Sequence, residues 1–594
     1  MAVFVILNRI YMNETEPEIF KKTWLTKIWK RKGSTKDLAN HRFVHGRHWL
    51  GKLYEKCLVE MISQKQVDAT PEFQMGGIPG KSTREHLLAA MLLIRSFTAR
   101  GKSVPIVLCD IKKCFDKLNI NDLVFDLANT GADLKTVKML RQFHQNFEIM
   151  MDCDMGKEKP SSRVIPDTVG QGTNGAPGMA GNSQARSVNK HVDKELCAKV
   201  GEVQTDHKAF VDDIMTVPGD EKKARLMGPQ LSKAFDELSI KSHEDKTVII
   251  VPGMTAFARK MRENLKNDPM VIQGNPVKVA VKDHYLGMVL HENGVKESIE
   301  STAIERKGRA WGQVPVIKSL LSHPQLLNEG WLRSAVSIIQ GIIPATMLYS
   351  CEAWIDLTLT FTKMMEKNYR AIIMAILEIP SRSSYAAILR ETGLMKLEHI
   401  MNKARLYYIS QVLWDMKGSE VHKLLMHDWE TRGEKSHVEV MRKVAKEYGV
   451  SDFTEVRLDA DLLRQHVRAF NDTELLCEVL RGKAAEKKAW LRMNWRPHFK
   501  WTKLEAKARL MEAAGSFRFL AQASGWKSYY RARGVDTRCV SRLCDSEDTA
   551  THAKICKFME TKWNEKYEDD LKKKAVYYVN LHKERLRKYG FPIL

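Results

Sequence analysis

The sequence predicts an α+β fold for its first half and a helical fold for most of the rest. Two observations carry this. From about residue 20 to 290, short apolar runs of strand length alternate with amphipathic helical patterns, and from about 300 to 480 the apolar period becomes helical throughout. In the first half, SVPIVLCDI reads as a buried strand and NDLVFDLANTGADLKTVKMLRQFHQNF as helices. EIMMDCDMGKEKPSSRVIP reads as a hairpin turning at the Gly156–Pro160 cluster. KKARLMGPQLSKAFDELSI follows as a helix leading into the strand TVIIV. FTKMMEKNYRAIIMAILEI and LEHIMNKARLYYISQVLWDM show the later helical period. The last segment is helical, very basic and interrupted by a cysteine cluster.

A chain of 594 residues exceeds one compact core, and two to four units are expected. The pattern shifts divide it into 1–295, 296–480 and 481–594. The apolar fraction of 44% excludes global disorder. Lys and Arg number 95 against 72 Asp and Glu, a net charge of +23. That excess points to a polyanionic partner, nucleic acid foremost, against the alternative of a merely basic globular protein. Seven of the ten cysteines are scattered and three crowd into 539–556, which fits a reducing compartment with one metal cluster rather than a disulfide framework. MAVFVILNRIY lacks the basic flank and cleavage site of a signal peptide. The longest apolar run, Ala335–Tyr349, is cut by Pro344 and is too short to span a bilayer. The expectation is a soluble intracellular protein, nuclear or cytoplasmic, with no membrane partner.

AFVDDIMTV sets Asp212 and Asp213 side by side in a run that otherwise suits a buried strand. Burying two unpaired carboxylates is costly. Either both lie in water at a strand end, or a metal ion compensates them. Other pieces bear on the choice. PIVLCDIKKCFDKLN ends an apolar strand on Asp110, with Phe115 five residues later. VGQGTNGAPG is glycine-rich and contains Gln171, Gly172 and Pro177. HEDK ends at Lys246, and YLG spans 285–287. Upstream lie QMGGIPGKSTREHL, with Lys81 and Arg84, and IWKRKGSTKDLANHRFVHGRHWLGKLYEK.

In this order and context the pieces resemble the reverse transcriptase family, specifically the polymerases of non-LTR retrotransposons. That family carries D-x4-[F/Y] on its first strand, then G-x-x-Q-G-x-x-x-S-P, [F/Y]-x-D-D, Asn-x-x-Lys and a Leu-Gly hairpin. The resemblance covers roughly 20–290. It implies a right-hand polymerase with fingers and palm in 1–295, a helical thumb and connecting region in 296–480, and a small zinc-knuckle-like element in 481–594. It further implies an RNA-directed DNA polymerase that extends a DNA primer on an RNA template from dNTPs, using two Mg²⁺ ions. Asp110 and Asp212 are then the bridging metal ligands, with the Ile111 carbonyl beside them and Asp213 in support. Such a pair suits phosphoryl transfer because both the attacking and the leaving oxygen need stabilisation. Phe115 resembles the ring that excludes a ribose 2′-hydroxyl. Gln171 and Gly172 correspond to the segment lying against nucleotide and template. Lys246 resembles the lysine that protonates departing pyrophosphate, and a solvated surface lysine is its competing reading. Lys81 and Arg84 resemble residues that grip triphosphate or template backbone, although the family more often has Arg where Lys81 stands.

Other departures from the pattern are Val211 for the usual Ala, Ala176 for Ser, and His243 for Asn. None removes a metal ligand. The segments MLYSCEAW through RETGLMKLEHIMNKARLYYI resemble the thumb of the same elements. Near the end, Cys539, Cys544, His552 and Cys556 supply three thiolates and an imidazole, a donor set for structural zinc. It resembles the Cys-Cys-His-Cys element of non-LTR retrotransposons, with Ser541 at one expected cysteine place. Trp490, Trp495, Trp501, Trp526, Tyr529 and Tyr530 interleave with Arg and Lys around it. That composition suits base stacking with phosphate contact, or equally aromatic helix faces in a small core. No Pro-Asp nuclease signature follows and no apurinic-type nuclease precedes, so the expectation is a polymerase-centred piece of a longer ancestral polyprotein. The alternatives are a catalytically inactive nucleic-acid-binding relic and an intron-maturase-like protein.

Overall fold

The computed structural model describes residues 1–481 apart from 31–32, 113–117, 152–160, 166–172, 174, 324–330 and 380–382. The described chain mixes helices and strands and falls into two units. The first comprises Met1–Ile299 together with Gly418–Asp428; the second takes in Glu300–Lys417 and the chain from Trp429.

Two sheets organise the first unit. One has four strands: β1 (Lys22–Trp29), β2 (His41–Arg47), β4 (Phe147–Met151) and β5 (Ser161–Ile165), in the order β2-β1-β4-β5. β4 and β5 pair antiparallel from Phe147↔Ile165 to Met151↔Ser161, as the expected hairpin requires, while its turn at Gly156–Pro160 lies outside the described residues. The other sheet has five strands. β3 (Ile106–Cys109) is central, flanked by β7 (Asp213–Thr216) and β8 (Val248–Ile250), with β6 (Lys208–Phe210) and β9 (Lys278–Val279) at the edges. The expected strands around Asp110 and TVIIV are therefore neighbours, β3 and β8, paired antiparallel.

All four β3 residues are buried, as a central strand covered on both faces requires. Val107, Cys109, Ile214 and Ile249 join one apolar cluster with Leu123, Leu127, Met179, Val188, Leu231 and Phe235. Those last six lie on the helices Ile120–Asn129, Ala176–His191 and Glu221–Glu237. The helix Thr83–Thr98 is apolar nearly all round, and its residues Glu85 to Arg95 are buried. The Leu-Gly hairpin also forms: Lys282–Tyr285 pairs with Met288–His291, and Leu286 and Gly287 both take positive φ, 47° and 79°. Two successive positive φ values suit a two-residue turn whose twist matches the strands.

The second unit is helical in its described residues, including Leu359–Leu377, Leu397–Trp414 and Ala460–Arg481. The two helices read from the later periodicity are among them. The segment 481–594 lies almost wholly outside the described residues, and with it the expected zinc-knuckle region.

Candidate active site

Asp110 directly follows β3, and β3 pairs with β7, which begins at Asp213. β6 and β7 form a tight hairpin with Phe210 opposite Asp213, leaving Val211 and Asp212 as the two-residue turn. The sheet thus brings one loop end and one hairpin turn, about a hundred residues apart in sequence, to the same edge. Asp110, Asp212 and Asp213 are all part-exposed.

The turn is strained at Val211, whose φ is 61°. A β-branched residue rarely adopts that conformation. Gln74 holds it. Its Oε1 accepts the Val211 N–H at 3.1 Å and the Gly76 N–H at 2.7 Å, and its Nε2 donates to the Gly181 carbonyl at 2.8 Å. The side chain is 2% exposed. Backbone pairing adds to it: Met75 N–H donates to the Ala209 carbonyl and Ala209 N–H to the Phe73 carbonyl, at 3.0 and 2.9 Å. Gly76 permits this approach, since a Cβ there would sit 2.3 Å from the Val211 nitrogen. The segment QMGG is therefore an added edge on the hairpin. Gln74 was not among the residues that spacing or resemblance singled out. The Gly76–Gly77 pair beside it is the signal of close backbone approach.

The carboxylates repel one another. Burial pushes Asp212 above the usual carboxylate range, and the charge of Asp110 adds to it. Asp213 is pushed up to about 6, first by burial and then by Asp212 and Asp110. Arg42, on β2, and Lys246 oppose the rise at Asp212. Lys246 Nζ donates to Asp110 Oδ2 at 3.0 Å. The loop carrying this lysine is fixed along the Asp110 strand end. His243 N–H donates to the Asp110 carbonyl at 2.7 Å, Ile111 bridges to Ser242, and Lys112 N–H donates to the Lys241 carbonyl at 2.8 Å. The bond from position 243 is made by its backbone and so does not depend on whether His or Asn stands there.

Among the described residues, no group of three or more His, Cys, Asp or Glu side chains forms a ready-made metal cage. Asp110, Asp212 and Asp213 repel one another, and Lys246 engages Asp110. Their donor chemistry fits a hard cation, because oxygen ligands held against their own repulsion gain most from a divalent charge.

The remaining predicted residues divide. Lys81 lies just before the helix Thr83–Thr98, 3.8 Å from Glu85. Arg84 Nε donates to the Ser82 hydroxyl at 3.1 Å. Both thus stand at the start of one helix. Ile111 is buried beside Asp110. Phe115, Gln171 and Gly172 lie outside the described residues, as do Cys539, Cys544, His552 and Cys556. Glu55 is a further buried residue that sequence reasoning passed over. Its carboxylate accepts the Gly175 N–H at 3.0 Å and lies 3.2 Å from His144 Nε2, fastening the end of the glycine-rich stretch.

Residues 30–290 match the family model described as reverse transcriptase (RNA-dependent DNA polymerase). No curated protein matches the chain. Among solved structures, the apo telomerase of Candida tropicalis is similar at 12% identity and a TM-score of 0.37, covering 72% of this chain and 74% of that one. A form of it truncated from its C-terminal domain scores 0.33 at 12% identity; the likeness covers 49% of this chain and spans 58% of the length of that one. The telomerase of Candida albicans in complex with a fragment of telomeric RNA scores 0.35 at 12% identity, covering 76% of this chain and 66% of that one. No helix among the described residues is long and apolar enough to cross a membrane.

Proposed function

We propose that the protein is an RNA-directed DNA polymerase of a non-LTR retroelement, extending a DNA primer on an RNA template, a reading supported by the match of residues 30–290 to the reverse transcriptase model. One observation carries the reading: the sheet sets Asp110 at the end of β3 beside the Val211–Asp212 turn, within electrostatic reach of both Asp212 and Asp213. Asp110 and Asp212 are the proposed magnesium ligands, with the Ile111 carbonyl adjacent and Asp213 in support. Magnesium, when bound, would stabilise the attacking 3′-oxygen and the departing pyrophosphate together.

The chain's own groups divide the remaining work. Gln74 keeps the Val211 turn in its strained conformation, so that the Asp212 carboxylate does not have to be ordered at each turnover. Lys246, bonded to Asp110, is the proposed proton donor to pyrophosphate. Lys81 and Arg84 are proposed to meet triphosphate or template phosphates. The net charge of +23 favours a nucleic-acid partner over a neutral one.

The test is primer extension on a primed RNA template with Mg²⁺. Asp212→Asn is expected to lower dNTP incorporation by more than about 100-fold while RNA affinity stays within twofold. Equal extension by wild type and variant would refute the assignment. A second reading, a nucleic-acid-binding protein with an inactive palm, draws on the lack of a preformed carboxylate cage among the described residues. Absence of any template-dependent extension by the wild type would favour it.

A further inference from the structure

Lys208 begins β6, two residues before the hairpin turn region, and is 2% exposed. A lysine buried this deeply needs a partner. It finds one far along the chain: its Nζ donates to Glu420 Oε1 at 2.7 Å and to the Asp206 carbonyl at 3.1 Å. Glu420 Oε2 accepts the Asp206 N–H at 3.3 Å. One carboxylate thus clasps both the side chain of the first β6 residue and the backbone entering the strand. From the other side, Tyr285 Oη donates to the Lys208 carbonyl at 3.2 Å.

Glu420 opens the helix Glu420–Arg432, and the stretch Gly418–Asp428 belongs to the first unit although 118 residues of the second unit precede it. The far end of that stretch is anchored independently. Asp428 Oδ2 lies 2.5 Å from Arg95 Nη2, and Arg95 is 3% exposed. His427 Nε2 lies 2.7 Å from Arg100 Nη2. Gly201 makes room for His427, since a Cβ there would come within 2.8 Å of its ring. Two buried ion pairs, about 12 Å apart along the helix axis, therefore seat two turns of helix on the sheet unit. Of the two pairs, that of Glu420 includes a residue of the carboxylate-bearing hairpin, and that of Asp428 does not.

We infer that Glu420 is a positioning residue for the Asp212–Asp213 hairpin, acting through Lys208 and the Asp206 backbone from outside the segment that matches the polymerase family. The inference rests on the polymerase reading for its catalytic consequence, not for its structural one. Without the clasp, β6 loses its fixed start, and the strained Val211 turn is the first place to relax.

The test uses the full chain in three variants: Glu420→Gln, Asp428→Asn, and Lys208→Met with Glu420→Met. Hydrogen–deuterium exchange is followed in peptides covering 206–216, well below the melting temperature. Glu420→Gln is expected to speed exchange there by about fivefold or more. The double variant, which leaves no unpaired buried charge, folds and still exchanges faster, because the clasp is gone. Asp428→Asn destabilises the protein without changing exchange in 206–216. Unchanged exchange in the double variant, or equal acceleration by Asp428→Asn, overturns the inference. In the extension assay, Glu420→Gln is expected to lower kcat with KM for dNTP within twofold. Altered exchange in a protein whose wild type shows no extension would leave Glu420 as a positioner and remove the polymerase reading, so the two failures are separable.

Discussion

Asp213 of the hairpin and Glu474 of the second unit are treated in opposite ways. Burial pushes Asp213 up to about 6, and its carboxylate neighbours push the same way. Burial acts on Glu474 too, but the hydrogen bond from His399 and the charge of Lys396 overcome it and hold Glu474 at about 2. His399 Nε2 lies 2.7 Å from Glu474 Oε2, its Nδ1 lies 2.9 Å from Tyr448 Oη, and Lys396 Nζ lies 3.0 Å from Glu474. His399 is further packed edge-on against Tyr448 and Phe470. The difference teaches where each unit keeps its compensation. At Glu474 the helical unit supplies both compensating groups itself. At Asp213 burial and the neighbouring carboxylates outweigh Lys246, and the electrostatic cost that remains is of the kind a cation offsets.

Three measurements break or sharpen that contrast. The largest effect is expected in the helical unit. His399→Ala removes a buried ring and two polar contacts and is expected to cost about 3 kcal/mol of stability. Chemical denaturation checks it, and a loss under about 1 kcal/mol would mean the network is ornamental. The second effect has the opposite sign. A carboxyl whose folded pKa is raised adds stability below its unfolded value near 4 and loses it as pH rises through about 6. Asp213→Asn should therefore add about 1–2 kcal/mol at pH 8 in EDTA and nearly nothing at pH 4. A variant less stable than wild type at pH 8 would show that Asp213 is compensated after all. The smallest effect concerns the turn. Val211→Gly relieves the positive φ and is expected to gain at most about 1 kcal/mol, read from the denaturation midpoint. A clear loss would mean the Val211 side chain contributes more by packing than its backbone costs.

Local signals made much of this legible. A continuous apolar run marked β3 and put Asp110 at its end, and Leu286–Gly287 marked a hairpin that forms as read. The helices Ile120–Asn129, Leu134–His144 and Glu221–Glu237 followed from their period, because burial on one face is written into neighbouring residues, whereas the helix Ala176–His191 was not read. What escaped was written at long range. Gln74 has no local mark of its role, which exists only because Val211 folds back 137 positions later. Lys208 likewise carries no local mark of its role, since its partner stands at Glu420. The same holds for Glu55, whose bond to Gly175 crosses 120 positions. The cluster at 539–556 was legible as a donor set, but it lies outside the described residues.

The distance between Lys208 and Glu420 also sets a clock. The two residues are 212 positions apart, and a ribosome adding about 5–20 residues per second needs roughly 10–40 s to cross that gap. Throughout that interval the nascent sheet carries a lysine and an arginine whose acidic mates have not been translated. Until they emerge, the hairpin edge lacks its clasp and is open to mispairing, so the order of translation sets when the sheet can close.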